Sequence, residues 1–214
     1  MGTIVAAASE PQRSMLVILC ETGMRVGELK HLDWDDIDYQ HEVILIREKP
    51  GWKPKTGDER AVPMNAAMRA VLDRLPRKAK WVFTAPPTKK YPKGDHQMSE
   101  RRLLEYLKRV LKRLGLRGHL HTFRHSFISN ALTNGIPEAI VRQWVGHVDP
   151  EILKHYTHVL DQTSQAARRR LDEANQTQAA QSGKEATDES SDGGSDQAQI
   201  KHNEGGPPNG DSAK

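Results

Sequence analysis

Cysteine, long apolar runs and internal repeats are all scarce or missing in this sequence. Its single cysteine, Cys20, rules out an intramolecular disulfide and any zinc site built from several cysteines. Cys20 lies in an apolar stretch and is expected to be a buried small hydrophobe. The longest apolar run, Met15-Leu-Val-Ile-Leu-Cys20, is far shorter than the roughly 18–20 residues that span a membrane. No charged region precedes Ile4-Val-Ala-Ala-Ala8, so no secretory signal is expected. These absences point to a soluble intracellular protein with no membrane partner. Hydrophobic residues make up only 36% of 214 and the mean hydropathy is −0.72, too polar for a uniformly packed chain. A folded body joined to unfolded sequence is expected.

Charge divides the chain in the same way. Residues 172–214 hold three Lys and Arg against nine Asp and Glu, whereas the remainder holds 29 against 19. The body is thus a plausible polyanion binder. The tail is rich in Gln, Ser, Gly, Asp and Asn and has almost no apolar residue besides Ile200. It cannot bury enough surface to offset the entropy of ordering. The expected organisation is one domain over 1–173 and a disordered acidic, polar tail over 174–214.

Along the body, apolar spacing predicts helices over 11–21, 26–31, 65–75, 99–114, 122–133, 137–145, 150–156 and 162–173. Gly23, Gly135 and Gly146 break them, and Asn65 and Ser99 stand as caps. Residues 33–38 read as a turn, and 42–46, 60–63 and 81–83 read as strands. Leu103, Leu104, Leu107, Leu111 and Leu114 mark one helix face. The fold class is mainly α with a small antiparallel β-sheet near the front, and Lys53 and Lys55 sit on a hairpin loop between two strands.

Four stretches carry chemistry: Thr22-Gly-Met-Arg-Val-Gly-Glu-Leu29, Lys53-Pro-Lys-Thr-Gly-Asp-Glu-Arg-Ala-Val-Pro63, His121-Thr-Phe-Arg-His-Ser-Phe-Ile128, and Gly146-His147 followed by His155-Tyr-Thr-His158. In this order and spacing the chain resembles the catalytic domain of tyrosine recombinases, the phage integrase family, over roughly residues 10–172. The resemblance implies that fold, which is shared by DNA breaking and rejoining enzymes. It makes Arg25 the first catalytic arginine and Glu28 the acidic residue that accompanies it. Lys55 best matches the hairpin lysine, with Lys53 two residues away and directed to the same side. His121 and Arg124 match H-x-x-R, His147 the second histidine, and Tyr156 the nucleophile.

Elementary chemistry agrees with these roles. Cleaving a phosphodiester with a side chain needs an attacking oxygen, charge stabilisation and a proton for the leaving oxygen. A tyrosine forms a covalent phospho-intermediate once activated. Arginine forks match pairs of phosphate oxygens, so Arg25 and Arg124 suit a clamp. Lys55 suits protonation of the departing 5′-oxygen, His121 acceptance of the tyrosine proton, and His147 a hydrogen bond to phosphate. A cationic cluster takes the place of metal ions, so no cofactor is implied. The product of the first step is a 3′-phosphotyrosine with a free 5′-hydroxyl.

Other readings attach to the same residues. His121 and His125 lie four apart on a helix as zinc ligands can, yet without the H-E-x-x-H glutamate or an evident third ligand. His125 is expected to buttress the site, His155 and His158 to lie at the surface, and Trp34, Trp81 and Trp144 to pack. The basic run over 108–117 suits a solvated helix face or a DNA backbone contact. Type IB topoisomerases share the fold and chemistry but usually place Lys where His121 stands, which favours a site-specific recombinase. A DNA-binding module that does not cut is the remaining alternative. The resemblance also implies double-stranded DNA as partner, a monomer in solution that forms a homo-tetramer on DNA, and a cytoplasmic, nucleoid-associated location in a bacterial or phage context. Relatives carry an N-terminal helical clamp domain. The first motif here begins at Thr22, so that domain is expected to be absent and unaided activity impaired.

Overall fold

The structure is a computed structural model that describes residues 1–57, 59–148, 168, 169, 171–173 and 176. Along the described body three α-helices come first, then three strands, then four α-helices: α1 (Gly2–Ala6), α2 (Gln12–Thr22), α3 (Val26–Lys30), β1 (Ile37–Asp38), β2 (Val43–Ile46), β3 (Arg60–Pro63), α4 (Ala66–Arg74), α5 (Glu100–Leu114), α6 (Leu120–Thr133) and α7 (Glu138–Val145). The expected class, mainly α with one small antiparallel sheet, is the one observed. Helix α1 was not anticipated from the sequence.

The sheet runs β1-β2-β3, antiparallel throughout, with Ile44 opposite both Ile37 and Val62. Ile44, Ile46 and Val62 alternate inward and are buried, as a half-buried sheet requires. Pro63, which cannot donate to a ladder, closes the edge strand β3. One expected strand is corrected. Trp81–Phe83 is not part of the sheet, and the third strand is Ile37–Asp38. The Asp38 carboxylate accepts from the Gln40 and His41 N–H groups, which turns the chain tightly into β2. Trp81 meets only Asp33 in a single bridge, and Val82 N–H donates to Leu32 carbonyl at 3.0 Å. The Phe83 carbonyl in turn accepts from the Met98 N–H at 3.1 Å, so isolated backbone bonds rather than a sheet ladder hold the segment, and its Val82 and Phe83 are buried in the core.

The helices follow from their caps and faces. Asn65 accepts from the Met68 N–H at 2.9 Å and starts α4. Ser99 starts α5, and Gly115 ends it in the left-handed conformation. The buried stripe of α5 is Leu103, Leu107, Val110 and Leu111, with Leu104 and Leu114 half-buried at its flanks. Burying each such leucine stabilises the fold by roughly 1.5–3 kcal/mol. Cys20, expected to be buried, is half-buried on α2, whose inward face is taken by Met15, Leu16, Ile18 and Leu19. Helix α2 packs on both α4 and α6. A separate small core of Ile128, Leu132, Val141, Val145 and Val148 joins α6 to α7.

The helix expected over 150–156, with Tyr156, lies outside the described residues. A second compact unit begins at Arg168. Its described residues are helical, with an Arg168–Asp172 ion pair at 3.1 Å. Among the described residues no helix is long and apolar enough to cross a membrane.

Candidate active site

Four chain segments meet where α2 gives way to α3. Thr22 Oγ1 donates to the Ile18 carbonyl at 2.6 Å and accepts from the Met24 N–H at 3.2 Å, closing α2. Gly23 follows at φ +62°, and a Cβ there would stand 2.6 Å from Phe127 Cδ1 and 3.0 Å from Val145 Cγ1. Glycine therefore serves two ends, the left-handed turn and the close approach of α6 and α7. Arg25 emerges extended and opens α3. The Glu28 carboxylate reaches back to the Arg25 N–H at 2.7 Å, the reciprocal bond of a capping box.

Arg124 explains an anomaly of α6. Leu120, Phe123, Arg124, Ile128, Ala131 and Leu132 form its buried face, so a guanidinium occupies a position that patterning reserves for an apolar side chain. Helix α6 begins at Leu120, two residues earlier than expected, which sets Arg124 one turn into the helix. Arg124 is 5% exposed. Its Nη1 donates to the Gly23 and Val145 carbonyls at 2.9 and 2.7 Å, and its Nη2 to the His147 carbonyl at 3.0 Å. The Arg25 Nη2 donates to that same His147 oxygen at 3.0 Å. The box around Gly23, helix α6 and the loop after α7 are thus joined through two forks on one acceptor.

A third arginine completes the cluster. Arg60, the first residue of β3, donates through Nη2 and Nη1 to the two Glu28 oxygens at 2.7 and 3.2 Å. Its Nε donates to the Trp144 carbonyl at 2.8 Å. The Arg25 Nη1 shares Glu28 Oε1 at 3.1 Å. Burial raises the Glu28 carboxyl, but the hydrogen bond and charge of Arg60, followed by Arg25, hold it below the usual carboxylate range. Burial and the charges of Arg25 and Arg60, opposed by Glu28, lower Arg124 to about 10, so it stays cationic at neutral pH. Among the described residues Glu28 is the sole carboxylate ion-paired with any of the three arginines. Positive charge exceeds negative, and an oxyanion would balance it.

The other expected residues are placed as follows. His121 lies at the surface on the first turn of α6, partly covered by its neighbours and edge to face with His125 at 5.7 Å between ring centres. Partial burial and the charges of Arg124, His125 and Arg25 lower its imidazole below the ordinary histidine value. His147 is exposed, and its backbone carbonyl rather than its ring takes the described hydrogen bonds. An open cavity of about 330 Å³ lined by Arg60, Arg142, Gly146 and His147 adjoins it. Lys53 and Lys55 are both exposed on the β2–β3 loop, and neither joins the arginine cluster. The loop is fastened at its base. Lys49 Nζ donates to the His31 carbonyl at 2.6 Å, pairs with Asp33 at 3.1 Å and also bonds Asp36. Trp52 stacks on His31 at 4.4 Å. Tyr156 lies outside the described residues. Among those described, no group of three His, Cys, Asp or Glu side chains is arranged to hold a metal.

Arg60 was missed by sequence reasoning, which read 60–63 only as a strand. The sequence signal for it is its place within the Lys53–Pro63 stretch, shortly after the loop lysines.

Comparison with known proteins follows the same residues. The model of the phage integrase family matches residues 1–163. A tyrosine recombinase XerC of Pediococcus pentosaceus is 30% identical over 168 residues, covering 73% of this chain and 52% of the relative. Transposase B from transposon PsiTn554 of Staphylococcus aureus is 29% identical over 169 residues, covering 70% of this chain and 25% of the relative. The chain thus spans a quarter to about half of these relatives' lengths. In fold it is similar to the XerA recombinase crystal structure, with a TM-score of 0.58 and 23% identity over 79% of this chain and 62% of that one. It is also similar to the Tn1549 transposon integrase in complex with a circular intermediate DNA, with a TM-score of 0.62 and 20% identity over 79% and 63%. With its order of motifs, its arginine cluster and a family match across most of its length, the chain belongs to the phage integrase family.

Proposed function

We propose that this chain is the catalytic domain of a site-specific DNA recombinase that breaks and rejoins double-stranded DNA through a 3′-phosphotyrosine intermediate. The observation that carries the reading is the convergence of Arg25 and Arg124 on the His147 carbonyl, beside the one carboxylate, Glu28, that Arg25 shares with Arg60. Two forks held from behind by protein oxygens present a surplus of positive charge to a phosphate, where transition-state charge develops. The Tyr156 phenolic oxygen attacks phosphorus, passes its proton to His121, and displaces the 5′-oxygen, which takes a proton from Lys55. The phosphodiester is replaced by a phosphotyrosine ester of similar energy. Attack by the 5′-hydroxyl of a second strand restores the phosphodiester and frees the tyrosine. The reading invokes no metal or nucleotide cofactor.

The other three tyrosines give weak competition for the nucleophile. The Tyr39 hydroxyl is buried, and the Tyr106 hydroxyl bonds Ser9 at 3.0 Å. Tyr91 stacks on His96 in the loop before α5. The basic body supports contact with the DNA backbone. As part of this proposal the protein is cytoplasmic, monomeric when free and tetrameric on DNA, which sedimentation with and without DNA tests.

The experiment is to mix the chain with nicked duplex oligonucleotides of varied sequence and seek an SDS-resistant protein–DNA adduct, with Tyr156→Phe alongside. An adduct lost in the variant supports the reading. Salt-sensitive binding with no adduct would make the chain a DNA-binding module, and relaxation of plasmids without any preferred site would make it a topoisomerase.

A further inference from the structure

Glu28 is fully engaged. Its Oε1 accepts from Arg25 Nη1 and Arg60 Nη1, and its Oε2 from the Arg25 backbone N–H and Arg60 Nη2. Half of these donors come from Arg60, whose side chain is 4% exposed and is fixed from behind by the Trp144 carbonyl. Gly146 makes room for it, since a Cβ there would lie 3.3 Å from Arg60 Nη1. The Arg25 side chain is 16% exposed and touches Glu28 through one amino group only, its other amino group being directed to His147. A carboxylate that lost Arg60 would have one guanidinium left within reach, and a fork on a fork is the geometry such pairs adopt.

We propose that Arg60 is a positioning residue: by occupying Glu28 through both nitrogens, it keeps Glu28 from capturing Arg25, and so leaves Arg25 directed toward the phosphate. The same bonds register the β2–β3 hairpin, with its loop lysines, on the arginine cluster. The inference rests on the recombinase reading for its effect on catalysis, but the competition between the two arginines exists without DNA.

Removing Glu28's charge as well as Arg60 separates this role from a merely structural one. Single-turnover adduct formation is measured at saturating nicked duplex for the wild type, Arg60→Gln, Glu28→Gln and the double variant, with DNA affinity measured separately. Arg60→Gln is expected to slow the adduct by about a hundredfold, the scale of a misplaced reacting group, while affinity stays within about threefold. The double variant is expected to be faster than Arg60→Gln, because a neutral amide in place of the Glu28 carboxylate does not draw Arg25 away. A double variant as slow as or slower than Arg60→Gln overturns the proposal. Arginine side-chain nitrogen spectra of the DNA-free protein, assigned with Arg25→Lys, read the capture itself. The Arg25 signals should move in Arg60→Gln and return in the double variant, and unmoved signals overturn the proposal whatever the adduct assay gives. If Arg60→Gln does not fold, Arg60→Lys serves, since a point charge covers one carboxylate oxygen and should move the Arg25 signals part of the way. A wild type that forms no adduct counts against the functional reading alone.

Discussion

Arg25 and Arg124 donate to one oxygen, the carbonyl of His147, each at 3.0 Å, although His147 stands 122 residues from the first and 23 from the second. A carbonyl has two lone pairs, and both are engaged by guanidinium groups here. The loop after α7 is thereby held at the arginine pair before any substrate arrives, and rigid placement of this kind is what electrostatic stabilisation of a phosphate transition state requires.

Arg124 should not tolerate lysine. Its fork reaches three carbonyls, and an ammonium is a point charge on a flexible stem. Arg124→Lys is expected to slow adduct formation by about a hundredfold or more. Arg124→Ala should also destabilise the fold by about 2–4 kcal/mol, because the buried carbonyls of Gly23 and Val145 lose their donor. Urea unfolding measures the second effect, and an unchanged midpoint would contradict it.

Gly23→Ala tests the closeness of α2 to α6. The new methyl meets Phe127 Cδ1 at 2.6 Å in a left-handed turn, whereas alanine at Gly51, φ +79°, meets nothing within 4 Å. Both variants pay the left-handed conformation, roughly 1–2 kcal/mol, but only Gly23→Ala adds overpacking of about 1–3 kcal/mol. Urea unfolding should rank Gly23→Ala as clearly the less stable. Equal midpoints would mean that the contact with Phe127 relaxes freely.

These two residues also mark what the sequence makes legible. Caps at Asn65 and Ser99, the alternation in 43–46 and the apolar stripes declare their elements locally, because propensity and burial act over a few neighbouring residues. The motif order points to Arg25, Arg124 and His147 by a different route, the resemblance to the family's pattern of motifs. What stays hidden depends on distant partners. Trp81–Phe83 has the composition of a strand, but Asp33 and Leu32 hold it outside the sheet. Arg60 looks like a surface strand residue until Glu28, 32 positions away, is placed against it. His147 reads as an imidazole donor, whereas its described bonds run through the backbone.

The pH profile of cleavage should reflect His121. Partial burial, followed by the charges of Arg124, His125 and Arg25, lowers its imidazole below the ordinary value of 6.5. The neutral, proton-accepting form is therefore still the majority at pH 6.5, and its midpoint of loss lies lower. Single-turnover adduct rates are expected to fall along an acid limb whose midpoint lies below 6.5, with that limb removed in His121→Gln. A limb centred above 6.5 would show that another group accepts the proton.

Lys55 and Lys53 are both exposed on the hairpin loop, so function must separate them. Lys55→Ala should block cleavage of an ordinary phosphodiester, yet cut a substrate whose leaving 5′-oxygen is replaced by sulfur, because a thiolate leaves without a proton. Lys53→Ala should cleave both substrates. The reverse pattern would assign the proton to Lys53.

The most direct test of the phosphotyrosine mechanism is to digest the trapped adduct with trypsin and a nuclease and locate the nucleotide by mass spectrometry. A nucleotide remnant is expected on the peptide spanning 155–168, attached at Tyr156. A nucleotide on Tyr39, Tyr91 or Tyr106, or on any serine, would contradict it.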